Sequence, residues 1–206
     1  MEEELLAKYT YYIEAIQKEI SRIFESQKEY ICCAEGCSYC CESGMYPFSQ
    51  LEFEYIKLAF DNLEENVKQV VVDNLRELEK EYIKNNKEHF MHKCPFLING
   101  SCSVYNNRGI ICRTFGVLTE NSDGNLTLPS CMKKGLNYSK VYDPVNKGID
   151  EKKVEALGYL NPPKHYNLSR KNMMSLSIAK NLELDFGESR MLIEWFFDLI
   201  NGKYEN

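Results

Sequence analysis

The cysteines constrain this chain more than any other residue type. Nine are present, and eight of them fall in two short stretches: Cys32, Cys33, Cys37, Cys40 and Cys41, then Cys94, Cys102 and Cys112, with Cys131 alone. Structural thiols scatter; these do not. The count is odd, so an all-disulfide scheme leaves at least one thiol over. In a reducing compartment such a pattern reads as metal binding or catalysis instead of cross-linking. Thiolates bind soft or borderline metals at about 2.3 Å, so three or four sulfurs must meet at one point. Short spacings make that convergence easy.

The local spacings support it. If the chain is helical from Cys37, then Cys37, Cys40 and Cys41 share one face at i, i+3 and i+4. Gly36 lets the backbone turn so that Cys33 approaches the same point. Asn99-Gly100 reverses the chain between Cys94 and Cys102 and brings those two sulfurs together. Adjacent Cys40 and Cys41 are expected to serve one small ion only with distortion, which a multi-iron cluster or two neighbouring sites would avoid. Cys32 reads as a buried small hydrophobe.

The rest of the sequence predicts a mainly α fold. Leu5, Leu6, Tyr9, Tyr12, Ile13, Ile16, Ile20, Ile23 and Phe24 recur at helical spacing across residues 5–30. Ser49-Gln50-Leu51-Glu52 has the form of a capping box, opening a helix whose stripe would be Leu51, Tyr55, Leu58 and Ala59. Val67, Val70, Val71, Leu75, Leu78 and Tyr82 mark another helix, fading at Asn85-Asn86. Asp123-Gly124 supplies turn chemistry between Val117-Leu118 and Leu126-Leu128, predicting a short β-hairpin. Residues 135–165 read as irregular chain with one helical stretch. Two helices close the chain, one near 168–182 and one from Glu188 to Ile200, with Asp185 as its N-cap. The expectation is a single domain over 1–206: an irregular cysteine-rich metal-binding centre at 33–131, with helical elaborations at 1–31 and 132–206.

Composition removes several functions. A net charge of −6 with no Lys/Arg run argues against nucleic acid. No apolar stretch is long enough to span a membrane. The start, Met1-Glu2-Glu3-Glu4, lacks the basic region of a signal peptide, and the expected location is cytoplasmic. No Gly-rich phosphate loop and no Ser-His-Asp or Cys-His arrangement stands out. His89 and His92 precede Cys94 closely enough to be considered as ligands. Arg108 and Arg113 flank Cys112 and are candidate cofactor-binding residues, because a guanidinium offsets thiolate charge or holds a carboxylate or phosphate.

Taken together, the motif C-x₃-C-x₂-C-C and then Cys94-Pro95-Phe96-Leu97, Cys102, Tyr105, Arg108 and Cys112-Arg113 resembles the YkgJ-like cysteine-cluster family. The resemblance covers roughly residues 33–131 and is strongest over 94–116. It differs in the spacing of Cys33 and Cys37, where the family has CxxC, and in Arg108-Gly109, where the family has Arg-Pro. It implies a zinc- or iron-chelating domain with Cys33, Cys37, Cys40, Cys41, Cys94, Cys102, Cys112 and Cys131 as metal ligands. Zinc, iron and an iron–sulfur cluster all remain open, as does a protein partner. The flagellin lysine N-methylases are similar through the same domain, which raises S-adenosylmethionine-dependent transfer to protein lysine as the alternative. No nucleotide-binding motif supports it.

Overall fold

The longest apolar stripe in the sequence becomes the first helix, α1 (Glu3–Ser26), which buries Tyr9, Tyr12, Ile13, Ile16, Ile20 and Ile23. The computed structural model describes residues 1–34, 36–85, 89–120 and 125–204. In chain order there follow α2 (Tyr39–Glu42), β1 (Pro47–Ser49), α3 (Gln50–Asp61), α4 (Glu65–Lys84), β2 (Leu97–Ile98), β3 (Ser101–Cys102) and α5 (Ile110–Thr114). Beyond them lie β4 (Thr119–Glu120), β5 (Leu126–Thr127), β6 (Tyr142–Asp143), β7 (Gly148–Ile149), α6 (Glu151–Leu157), α7 (Arg170–Met174), α8 (Ser177–Asn181), β8 (Ser189–Met191) and α9 (Leu192–Ile200). Helix predominates, and the strands pair only two by two.

The chain groups into two compact units, one of Met1–Leu6, Gly36–Cys112 and Asp185–Asn206, the other of Ala7–Glu35 and Arg113–Leu184. The stretch 33–131 is thus divided between them.

The first unit is built on aromatic packing. Phe53 of α3 stacks on Trp195 of α9 at 5.1 Å between centroids, and Phe196 meets Phe53, Phe60 and Phe96 edge-on. Such pairs add about 0.5–1.5 kcal/mol each beyond their buried area. The buried face of α3 is Leu51, Phe53, Tyr55, Ile56 and Phe60. Leu58 and Ala59 of the expected stripe are only half-buried, because the rings of α9 draw the face towards Phe53. The predicted capping box forms: Ser49 Oγ accepts from Glu52 N–H at 3.3 Å, and Glu52 Oε2 accepts from Ser49 N–H at 2.9 Å. Helix α4 buries Val71, Leu75 and Tyr82 and ends at Lys84, while Asn86 lies outside the described residues.

Two expectations near the C-terminus are corrected. The closing helix begins at Leu192, not Glu188, because 189–191 pair antiparallel with β1 in the register Pro47↔Met191 and Ser49↔Ser189. Asp185 caps no helix; its carboxylate accepts from Gly187 N–H at 2.9 Å. Pro47, which has no N–H, stands at the start of its strand, where its loss to the ladder is tolerated.

In the second unit Tyr30 stacks on Tyr138 at 5.5 Å and meets Tyr159 edge-on, with Leu118 and Val141 completing that core. The 135–165 stretch is more ordered than its composition suggests. It forms the β6–β7 hairpin and α6, and the buried Gln27 holds its end, accepting from Lys164 N–H at 2.9 Å. The predicted hairpin forms as β4 and β5, with Thr119↔Thr127, whereas its Asp123-Gly124 turn lies outside the described residues. The single helix expected over 168–182 is two short ones, α7 and α8, interrupted at Ser175-Leu176.

Candidate metal centre

Short backbone bonds join the two cysteine stretches of the first unit. Cys94 N–H donates to Cys41 O at 2.8 Å, Gly44 N–H to His92 O at 3.0 Å, and His92 N–H to Gly44 O at 3.1 Å. The Tyr46 hydroxyl donates to Cys40 O at 3.0 Å. Gly44 has to be glycine here, since a Cβ would meet the Tyr46 ring at 2.8 Å. Cys40 and Cys41 ride on α2, and Cys94 enters beside them.

Cys102 arrives by the β2–β3 hairpin. Asn99 and Gly100 take φ values of 49° and 78°, the left-handed pair that a two-residue hairpin turn requires. Leu97 then faces Cys102 in register. Cys112 sits on α5, whose first amide, Ile110 N–H, donates to Glu52 Oε1 at 2.8 Å. The Ser49–Glu52 spacing predicts the cap, and nothing in the sequence marks this second bond.

The sulfurs sense one another. Cys41 is raised by its bond with Cys40, by burial, and by the charges of Cys40, Cys94 and Cys112. Burial pushes Cys94 up to about 12, with Cys102 and Cys40 adding to it. Cys102 is raised by burial, and Cys112 well above its ordinary value by burial and the other thiols. Cys40 goes the other way, to about 7, chiefly through its hydrogen bond with Cys41. Opposing the burial, backbone amides of Phe96 and Leu97 aim at the Cys94 sulfur, and that of Val104 at Cys102. Arg108 lies 3.7 Å over the Tyr105 ring, and its charge favours thiolate at both Cys40 and Cys102.

The Cys40 and Cys41 sulfurs are 3.8 Å apart. Four sulfurs placed tetrahedrally about 2.3 Å from one ion have edges of about 3.8 Å. Adjacency therefore does not keep these two off the same ion, contrary to the expectation from sequence.

The remaining predicted residues lie elsewhere. Helix α2 begins only at Tyr39, so Cys37 precedes it and is exposed, not on a shared helical face. Gly36 does turn the chain, with φ of 87°. Cys33 and Cys131 belong to the second unit. There the buried Asn137 amide donates to the Cys33 sulfur at 3.1 Å and to Gly116 O at 2.6 Å, while its oxygen accepts from Cys32 N–H at 2.7 Å. No sequence signal marked Asn137. Cys131 is buried, and Cys32, expected to be buried, is exposed. Arg113 also falls in the second unit, largely buried, donating to Gln17 Oε1 at 2.9 Å. His89 is exposed. His92 is buried between Tyr46 and Phe90, its Nδ1 on Lys93 O at 2.8 Å, and burial lowers its pKa.

Among the described residues, no group of three or more His, Cys, Asp or Glu is arranged so that it could hold a metal ion as it stands. No family model, curated protein or solved structure matches the chain. The resemblance of its cysteine pattern rests on the motif residues alone. Among the described residues, no helix is long and apolar enough to cross a membrane.

Proposed function

We propose that this chain is a metal-binding protein whose cysteine sulfurs hold zinc or iron, the iron singly or as an iron–sulfur cluster. One observation carries the reading: Cys40, Cys41, Cys94, Cys102 and Cys112 lie close enough to influence one another's ionisation within a single unit. Gathering thiols in partly buried surroundings opposes their deprotonation, and a soft or borderline cation reverses that opposition. The donor set is all sulfur, which suits zinc and iron. Amides directed at Cys94 and Cys102 and the guanidinium of Arg108 are the outer contacts that thiolate ligands use. Closing a coordination set takes side-chain movement on binding, with release of thiol protons. Cys33, Cys37 and Cys131 remain candidate ligands from the motif.

Metal analysis and an absorption spectrum of protein prepared with and without oxygen test the proposal. Iron with a broad visible charge-transfer band identifies a cluster, and colourless protein with stoichiometric zinc identifies zinc. Cys94→Ser and Cys112→Ser are expected to lose most of the bound metal. Metal-free protein from both preparations, with no uptake on reconstitution, overturns the proposal. Calorimetry with S-adenosylmethionine separates the methyl-transfer alternative, which requires binding.

A further inference from the structure

Cys40 and Cys41 have both sulfurs on the same side of a held backbone. The sulfurs are 3.8 Å apart and both residues are half-buried. The peptide that joins them is fixed at each end, since Cys40 O accepts from the Tyr46 hydroxyl at 3.0 Å and Cys41 N–H donates to Ser38 O at 2.7 Å. The next carbonyl, Cys41 O, accepts from Cys94 N–H at 2.8 Å.

That backbone decides between two fates of a neighbouring dithiol. A disulfide between adjacent residues closes an eight-membered ring through their own peptide. Consecutive Cα atoms are about 3.8 Å apart, below the roughly 4.4–6.8 Å usual for disulfides. Closing the ring means turning the Cys40–Cys41 peptide and breaking the bonds to Tyr46 and Ser38. Chelation demands no such turn, because the centre sits between the sulfurs and each keeps its rotamer. A centre satisfied by two sulfurs needs no third ligand.

We infer that Cys40 and Cys41 form a vicinal-dithiol site that captures a thiophilic trivalent arsenic centre bearing one organic group. The reaction is a condensation. An organic arsenoxide R–As=O and two S–H groups give R–As(S–)₂ and one water; two As–S bonds form, the As=O bond is lost, both thiol protons leave in the water, and arsenic stays trivalent. No oxidant or reductant takes part. The site goes beyond zinc or iron binding and does not depend on it.

The test uses the full chain, reduced and stripped of metal with a chelator, with one equivalent of phenylarsine oxide. Intact-mass and fragment mass spectrometry are expected to find one phenylarsenic unit bridging Cys40 and Cys41. Excess monothiol should leave it in place and a small dithiol should remove it. Cys40→Ser and Cys41→Ser should each retain the adduct about a hundredfold less well, the loss of an intramolecular second bond. Cys32→Ser should bind like the parent. An adduct mapped to other cysteines, or held equally in both serine variants, overturns the inference. Where a serine variant does not fold, fragment mapping on the parent chain decides alone. Zinc and iron analysis is independent: protein that takes the arsenical at this pair but no metal defeats the metal proposal only, and the reverse result defeats the arsenical site only.

Discussion

Glu52 and Ile110 are 58 residues apart, yet the Glu52 carboxylate accepts the Ile110 N–H at 2.8 Å while its other oxygen caps its own helix through Ser49. One buried side chain thereby sets both the start of α3 and the start of the short helix carrying Cys112. Glu52→Ala strands the Ser49 and Ile110 amides. The expected loss is about 2–4 kcal/mol, combining a lost cap with an unsatisfied buried donor. Glu52→Gln should fall between, since its amide keeps one carbonyl oxygen but turns an NH₂ on a donor. Urea unfolding of both variants checks this, and a loss under about 0.5 kcal/mol for the alanine variant would refute it.

Gly109 is the neighbouring case. A Cβ there would lie 2.6 Å from Phe48 Cζ and 2.9 Å from Glu52 Oε1. Gly109→Ala is expected to destabilise by about 1–3 kcal/mol through overpacking. Gly148→Ala, whose Cβ meets nothing nearer than 3.9 Å, should stay within about 0.5 kcal/mol of the parent. Equal midpoints in urea for the two variants would contradict the assignment. The same contact explains why glycine, and not a ring such as proline, follows Arg108.

Asn137 makes the corresponding test in the second unit. Its side chain satisfies Cys32 N–H and Gly116 O and donates to the Cys33 sulfur. Asn137→Ala should cost roughly 1–3 kcal/mol for the stranded groups. Alkylation of Cys33 should also change in rate, because the amide that donates to its sulfur is gone. Unaltered thermal unfolding together with an unaltered Cys33 rate would show that the amide holds nothing.

Tyr82 gives a pH dependence with a defined sign. Burial first, and then its hydrogen bond to Glu194 at 2.6 Å, push the phenol up to about 12 from an ordinary value of 10.0. The folded chain favours the neutral phenol. Its contribution to stability is therefore complete below pH 10 and disappears as pH climbs from there towards about 12. Difference titration of tyrosinate absorbance between the parent and Tyr82→Phe reads the value directly. Glu194→Gln should lower it only in part, because burial remains. A Tyr82 titration at or below the ordinary value would be the contrary result.

Much of the helical framework was legible in local pattern. The stripe on α1, the Ser49–Glu52 capping box and the Asn99-Gly100 turn all involve residues within about four positions of each other, where side-chain spacing and φ preference act directly. The clustering of cysteines was equally plain. The departures from local pattern have a common cause. Residues 189–191 look helical beside Leu192, yet they are drawn into a strand by Pro47–Ser49, some 140 positions away. The α3 face turned towards Phe53 because the partner rings are on α9.

By itself, the sequence determined a mainly helical chain rich in grouped thiols, because periodicity, capping and turn chemistry are properties of neighbours along the backbone. Only the tertiary structure decided which thiols meet. Cys94 joins Cys41 through one backbone bond, Cys112 is placed by Glu52, Cys37 falls just outside its helix, and Cys33 and Cys131 go to the other unit. Those outcomes depend on bonds and packing between distant segments, which no local spacing encodes. The 3.8 Å between Cys40 and Cys41 belongs to both accounts: adjacency is written in the sequence, and the bonds from Tyr46 and to Ser38 hold the pair's peptide.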